Sequence, residues 1–282
     1  MKKILVPTDF SKPSLIAAEV AVDIAKKDGS DVVFLNVVEE ATEGSFNVEG
    51  QVSVGNMEDR LFTLKMIEKA KKQLEKIVKD PKFSAVTVNG ELRVGNPFHG
   101  IRTIILEQKV DLVVMGTSGH TKLEEMLMGT NTHRVIRSSK CPVLTVTKRV
   151  STTDFKNIVY ATSMSPDEEI FSRFVRRAQQ LYNSTLHLVH VNTPVNFQKD
   201  HITKSVMEKF ARKLQIKNYT TNIYNDHSAE EGIVRFAEQM NADLIAMATH
   251  GRTGLSHVLA GSVAEEVVGR AQQPVLTFVI KH

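Results

Sequence analysis

The chain has 282 residues, a formal net charge of +4 at pH 7 and a single cysteine, Cys141. Acidic and basic residues nearly balance in each half, which excludes a basic nucleic-acid-binding domain; one cysteine excludes an internal disulfide framework and fits a reducing cytosol. No apolar run approaches the roughly 18 residues of a membrane span, and MKKILVPTDF reaches Pro7 and Asp9 too soon for a signal peptide, so a cytoplasmic protein with no membrane partner is expected.

Residues 4–9 (ILVPTD) read as a short buried strand, and the Ser and Pro residues after it cap a helix over about 13–27. A strand follows at 32–38 (VVFLNVV). Residues 39–60 are rich in Gly, Asn, Ser and Glu and lack periodicity; a loop of that length is a lid or contact surface on one reading and a plain loop on the other. Leu61, Leu64, Ile67, Ala70, Leu74 and Ile77 then share one face of a long amphipathic helix, with the lysines at 65, 69, 72, 76 and 79 on its solvated side. A strand at 85–94, a helix over about 97–109, a strand ending in Val113-Val114-Met115-Gly116, a last helix opened by Gly129 and Thr130, and a closing strand Cys-Pro-Val-Leu-Thr-Val complete the first half.

The second half repeats that order, with strands at 158–163, 186–191 and 219–225 and helices over about 167–182 and 229–240. Its final block, 243–278, matches 111–146 without a gap, 132 positions on, with Gly119/Gly251, Gly129/Gly261 and Pro142/Pro274 in register. Near the start of each half the offset is 154 (Asn36 against His190), so the first half carries 154 − 132 = 22 extra residues, expected within 39–60. The chain therefore reads as two tandem domains, 1–147 and 157–282, joined by a short linker. Strands that alternate with helices and lack a polar face indicate, in each domain, an open parallel α/β sheet of about five strands covered on both sides.

Ligands of such sheets bind beyond the carboxyl ends of the strands. Gly116 and Gly119 fall there, in a turn where missing side chains let backbone approach a ligand. The helix opened by Gly129 and Thr130 offers N–H groups and a positive dipole end to an anion. His187 and His190 lie three apart on a strand, on opposite faces, and cannot chelate one metal together; no Cys/His cluster has zinc-ligand spacing. Cys141 reads as a structural thiol. Neither G-x-x-x-x-G-K-[ST] nor G-x-G-x-x-G occurs.

The spacing of Gly116, Gly119, Gly129 and Thr130, the strand ending in Pro7-Thr8-Asp9 and the closing Cys-Pro-Val-Leu-Thr-Val strand resemble the universal stress protein family, twice over nearly the whole chain. The resemblance implies an adenine-nucleotide alpha-hydrolase-like, Rossmann-like fold. It also implies that the last strands, 142–145 and 274–277, pair as edges, making the chain a pseudo-two-fold dimer; dimerisation of the whole chain stays open. Its implied ligand is ATP, with Mg2+. Pro7, Thr8 and Asp9 would face the ribose or adenosine end, the Val37 backbone the adenine, and Gly116, Gly119, Gly129, Thr130 and Asn131 the ribose and phosphates. Asn131 departs from the apolar residue usual in the family.

In the second half the counterpart candidates are Val191, His250, Gly251, Gly261, Ser262 and Val263. Ser163 replaces Asp9, however, and Ala248 replaces Gly116. Two readings stand: a degenerate half serving as structural partner, or an altered working pocket. Binding is the expected activity and fast hydrolysis is not, because phosphoryl transfer needs a positioned base, a metal-binding carboxylate set and a cationic clamp. Around the glycine turn only Asp9, His120 and Lys122 offer themselves, enough at most for a slow ATPase. The implied role is a nucleotide-dependent regulator in stress response; the alternative is a nucleotide-free interaction protein with relic pockets.

Overall fold

A computed structural model describes residues 1–39, 57–117, 130–147, 153–250 and 262–280. The first half runs β1 (Lys3–Pro7), α1 (Lys12–Asp28), β2 (Asp31–Val38), α2 (Met57–Val78), β3 (Val88–Val94), α3 (Pro97–Glu107), β4 (Leu112–Gly116), α4 (Thr130–Ser138) and β5 (Val143–Val146). The second runs β6 (Asn157–Ala161), α5 (Glu169–Tyr182), β7 (Thr185–Asn192), α6 (Asp200–Lys213), β8 (Tyr219–Asn225), α7 (Ala229–Gln239), β9 (Leu244–His250), α8 (Ser262–Arg270) and β10 (Val275–Ile280).

All ten strands form one sheet in the order β3-β2-β1-β4-β5-β10-β9-β6-β7-β8. Every pairing is parallel except β5 with β10, where Leu144 faces Leu276 at the centre of an antiparallel register. The expected edge pairing is therefore made inside one chain. Buried threonines secure it: Thr145 Oγ1 donates to the Val275 carbonyl at 3.1 Å and Thr277 Oγ1 to the Val143 carbonyl at 3.3 Å. Two apolar cores lie on the two faces of the sheet, each continuous across the junction. Beneath α1, α2, α5 and α6 sit Phe34, Leu144, Tyr160 and Leu276, and beneath α3, α4, α7 and α8 sit Leu35, Val113, Val143 and Val275.

The local code for α1 is legible. The Ser11 hydroxyl accepts from the Ser14 N–H, Pro13 sits in the first turn, and Gly29 closes the helix at φ 71°. In α2, by contrast, only part of the expected apolar stripe is covered. Ala70 and Leu74 are buried, whereas Leu61, Phe62 and Leu64 are more than half exposed. The cause is length. A helix of 22 residues spans about 33 Å and a seven-residue strand about 23 Å, so the first turns of α2 outrun the sheet. All five lysines expected on its solvated side, or just after it, are exposed.

The extra length of the first half is not confined to 39–60, as expected from sequence. Part lies in α2, which has 22 residues against 14 in α6. Another part lies in the connection to β3, where a 3-10 turn at Pro81–Phe83 delays the strand to Val88 rather than residue 85. Residues 40–56 are outside the described set.

Candidate functional site

The order in which the chain adds parallel strands reverses at β1, which continues outward to β2 on one side and has β4 on the other, so a crevice opens beyond the carboxyl ends of β1 and β4. A cavity of about 400 Å³ lies there, within the range of small-ligand sites. Pro7, Thr8 and Asp9 come from the end of β1, Asn36, Val37 and Glu39 from the end of β2, Gly116 and Thr117 from the end of β4, and Asn131 and Thr132 from the first turn of α4. Six expected residues, Pro7, Thr8, Asp9, Val37, Gly116 and Asn131, are thus brought together. Thr130 is the first residue of α4, and Gly119 and Gly129 lie outside the described residues.

Asp9 is exposed to the cavity, and its carboxylate accepts from the Ser11 N–H at 3.0 Å. Burial pushes its pKa up, but hydrogen bonds from Ser11 and Ser14 outweigh that and hold it below the ordinary carboxylate value. It therefore meets a ligand as an anion and an acceptor of hydroxyl donors. Val37 is positioned by Gly100 in α3: a Cβ there would come within 2.8 Å of the Val37 Cγ2, so only glycine lets α3 cross above this strand end.

Gly116 is a glycine for a different reason from the one expected. A Cβ at Gly116 would stand 2.3 Å from the Pro13 carbonyl oxygen and 2.9 Å from the Ser14 nitrogen. The missing side chain accommodates the first turn of α1, not a ligand. The correction matters because that turn carries Ser11 and Ser14, which hold Asp9.

Asn36 was not expected at the site. Its Nδ2 donates to the Thr8 carbonyl at 2.8 Å, while the buried Oδ1 has no partner among the described residues. A buried acceptor left unpaired costs about 1–3 kcal/mol. The sequence did hold a signal, since Asn36 is the one polar residue between Val32 and Val38.

The second half has a smaller cavity, about 230 Å³, at the equivalent place. It is lined by Thr162, Ser163, His190, Val191, Ala248 and Val263 among others. His190, at the register position of Asn36, has the same fault: its Nε2 is buried and unpartnered. Burial pulls its pKa down, opposed by a hydrogen bond to the Thr162 backbone. His187, on the other face, is held by Thr220 at 3.0 Å and Asn157 at 3.3 Å. Ser262 opens α8 and His250 ends β9; Gly251 and Gly261 are outside the described residues. Cys141 is buried, with its pKa pushed up to about 11 by burial.

The model of the universal stress protein family matches residues 1–147 and again 154–278. Universal stress protein Slr1230 of Synechocystis sp. is 27% identical over 301 residues, covering 99% of this chain and 100% of that protein. Universal stress protein MJ0531 of Methanocaldococcus jannaschii is 35% identical over 147 residues, 52% of this chain and 82% of that protein. Among solved structures, a universal stress protein from Archaeoglobus fulgidus superposes with a TM-score of 0.76 at 20% identity, over 98% of this chain and 97% of its own.

Proposed function

This chain belongs to the universal stress protein family, once in each half, and on that premise we propose that it is a cytoplasmic regulator that binds an adenine nucleotide, ATP foremost, in its first half. Residues 1–147 and 157–282 are its two units on this reading. The observation that carries it is the convergence of the Asp9 carboxylate, Asn36 and the first turn of α4 on one cavity of about 400 Å³. Asp9 is suited to sugar hydroxyls, and the first turn of a helix to the negative phosphates. Among the described residues no group of three or more His, Cys, Asp or Glu gathers to hold a cation. On this reading Mg2+ accompanies the nucleotide on its phosphates.

The activity is binding rather than turnover. Of the two carboxylates among the described lining residues, Asp9 is held by its serine partners below the ordinary carboxylate value, which makes it a weak base toward water, and Glu39 is the other. Occupancy is the signal, and the first turn of α1, which holds Asp9, is where it is read.

The test is direct. The purified chain is denatured and assayed for released adenine nucleotide, beside an Asp9→Ala variant shown to be folded. Nucleotide released from the wild type and lost from the variant is expected. Equal retention by both would sink the site assignment; no release and no saturable binding of added ATP would leave a nucleotide-free interaction protein.

A further inference from the structure

The two cavities are framed by one turn used twice. Phe10 and Met164 both take the left-handed backbone, at φ 63° and 61°. Each donates its N–H to the threonine two residues before it, to Thr8 Oγ1 at 3.0 Å and to Thr162 Oγ1 at 2.8 Å. Ser163 therefore stands where Asp9 stands, exposed and lining the second cavity as Asp9 lines the first. The neighbouring strand end is duplicated as well. A Cβ at Gly232 would come within 2.5 Å of the Val191 Cγ1, as one at Gly100 would come within 2.8 Å of the Val37 Cγ2, so in both halves a glycine lets a helix cross above that residue.

What differs is which member of a pair carries the carboxyl group. In the first half the acid is the exposed residue, Asp9, and the buried residue that bonds it from the first turn of α1 is Ser14. The second half exchanges the two: the exposed residue is Ser163, and the residue at the register of Ser14 is Glu168, which is 2% exposed. The contact survives the exchange, because Ser163 Oγ donates to Glu168 Oε1 at 2.7 Å. The Ser163 N–H donates to the same oxygen at 2.9 Å. Behind it, Tyr160 Oη at 2.8 Å and Thr162 Oγ1 at 2.7 Å hold the other oxygen, so the carboxylate is fixed with Oε1 on Ser163. Capping of the turn explains only its reach to the Ser165 N–H.

A serine hydroxyl has one proton to donate and lone pairs that accept. Glu168 takes the proton of Ser163, which leaves that oxygen with acceptor capacity alone, strengthened because linked hydrogen bonds polarise one another. Asp9 plays that hydrogen-bonding role in the first half, there with a charge. The ligand group that matches such an oxygen is a hydroxyl donor.

We propose that the second cavity takes a sugar hydroxyl of a nucleoside, with Ser163 as its acceptor and Glu168 as the positioning residue that commits the Ser163 proton. The choice of an adenine nucleoside rests on the function proposed above; the exchange of acid and hydroxyl does not.

The full-length chain is photolabelled with 8-azidoadenosine and its peptides mapped, with adenosine, 2′-deoxyadenosine and 3′-deoxyadenosine as competitors. Saturable label in second-half peptides is expected, displaced by adenosine at least about fivefold more effectively than by the weaker deoxynucleoside, the worth of one hydrogen bond. Ser163→Ala is expected to abolish that preference. Glu168→Ser, which frees the Ser163 proton, is expected to reduce it, and Ser163→Asp/Glu168→Ser, which restores the first half's arrangement, to bring it back; circular dichroism checks each fold. A purely structural Glu168 would not be rescued by a change at an exposed position. No second-half label in the wild type, an unchanged preference in Ser163→Ala, or a folded double variant without the preference overturns the proposal. If Glu168→Ser alone does not fold, the double variant and Ser163→Ala still decide it. First-half label is read from separate peptides, so its absence bears on the proposed function alone.

Discussion

Replacing Gly116 by alanine gives a perturbation whose sign separates two explanations of that glycine. Gly116 has no positive φ, so if it served only to open space for a ligand, alanine would stabilise the chain by about 0.4–1 kcal/mol through a less flexible unfolded state. The structure predicts the opposite. The new Cβ would lie 2.3 Å from the Pro13 carbonyl oxygen and 2.4 Å from its carbon, both backbone atoms that no rotamer change can move. Reaching an ordinary contact of 3.4 Å requires the head of α1 to retreat by about 1 Å, against a helix packed through Ala17, Ala18, Ala21 and Ala25. Overpacking of this kind costs about 1–3 kcal/mol, and a chain of this size loses about 2–4 °C of Tm per kcal/mol. Thermal and urea melts of Gly116→Ala and of the reciprocal Ala248→Gly provide the assay. Expected are a fall in Tm for the first, with weakened nucleotide retention because Ser11 and Ser14 move away from Asp9, and a change of about 1 kcal/mol or less for the second. A Gly116→Ala variant as stable as the wild type, or more stable, would refute the close approach of α1.

Three further outcomes follow from the same structure. Burial lowers the pKa of His190 and His187 below 6.5, so the unfolded chain takes protons first and stability, full above pH 6.5, declines as pH falls through and below that value; His190→Asn, the first-half residue, flattens part of this slope in urea melts between pH 7 and 5. Leu144→Ala at the centre of the antiparallel pair removes a side chain that is 2% exposed, and a loss of about 2–5 kcal/mol in denaturant unfolding is expected. Cys141, with a pKa near 11, resists a thiol reagent such as DTNB at pH 8 in the folded chain and reacts when urea exposes it; rapid native-state labelling would contradict its burial.

The tandem architecture was legible because its signals are local and doubled. Apolar runs bounded by Ser, Pro and Gly locate strands and caps, and two copies in register locate the edges that pair. Asp9, Val37 and Asn131 were legible through the family resemblance, and the strand order then carries their elements to one end of the sheet. Other features depend on distances that no periodicity encodes. Gly116 yields to the Pro13 carbonyl, far away in the chain, and α2 outruns a sheet whose length is set by β3. Glu168 shows in sequence only as the last member of Ser-Pro-Asp-Glu, a capping box; its hold on Tyr160, Thr162 and Ser163 joins side chains of the strand end and the turn that no periodicity encodes.

The central claim is that a nucleotide occupies the cavity between Asp9, Asn36 and Val37. A crystal structure of the full chain grown with excess ATP tests it most directly. The account predicts density for a nucleotide in the first half, with the ribose against Asp9. An empty first cavity beside a well-ordered Asp9, or a nucleotide seated only in the second half, would contradict it.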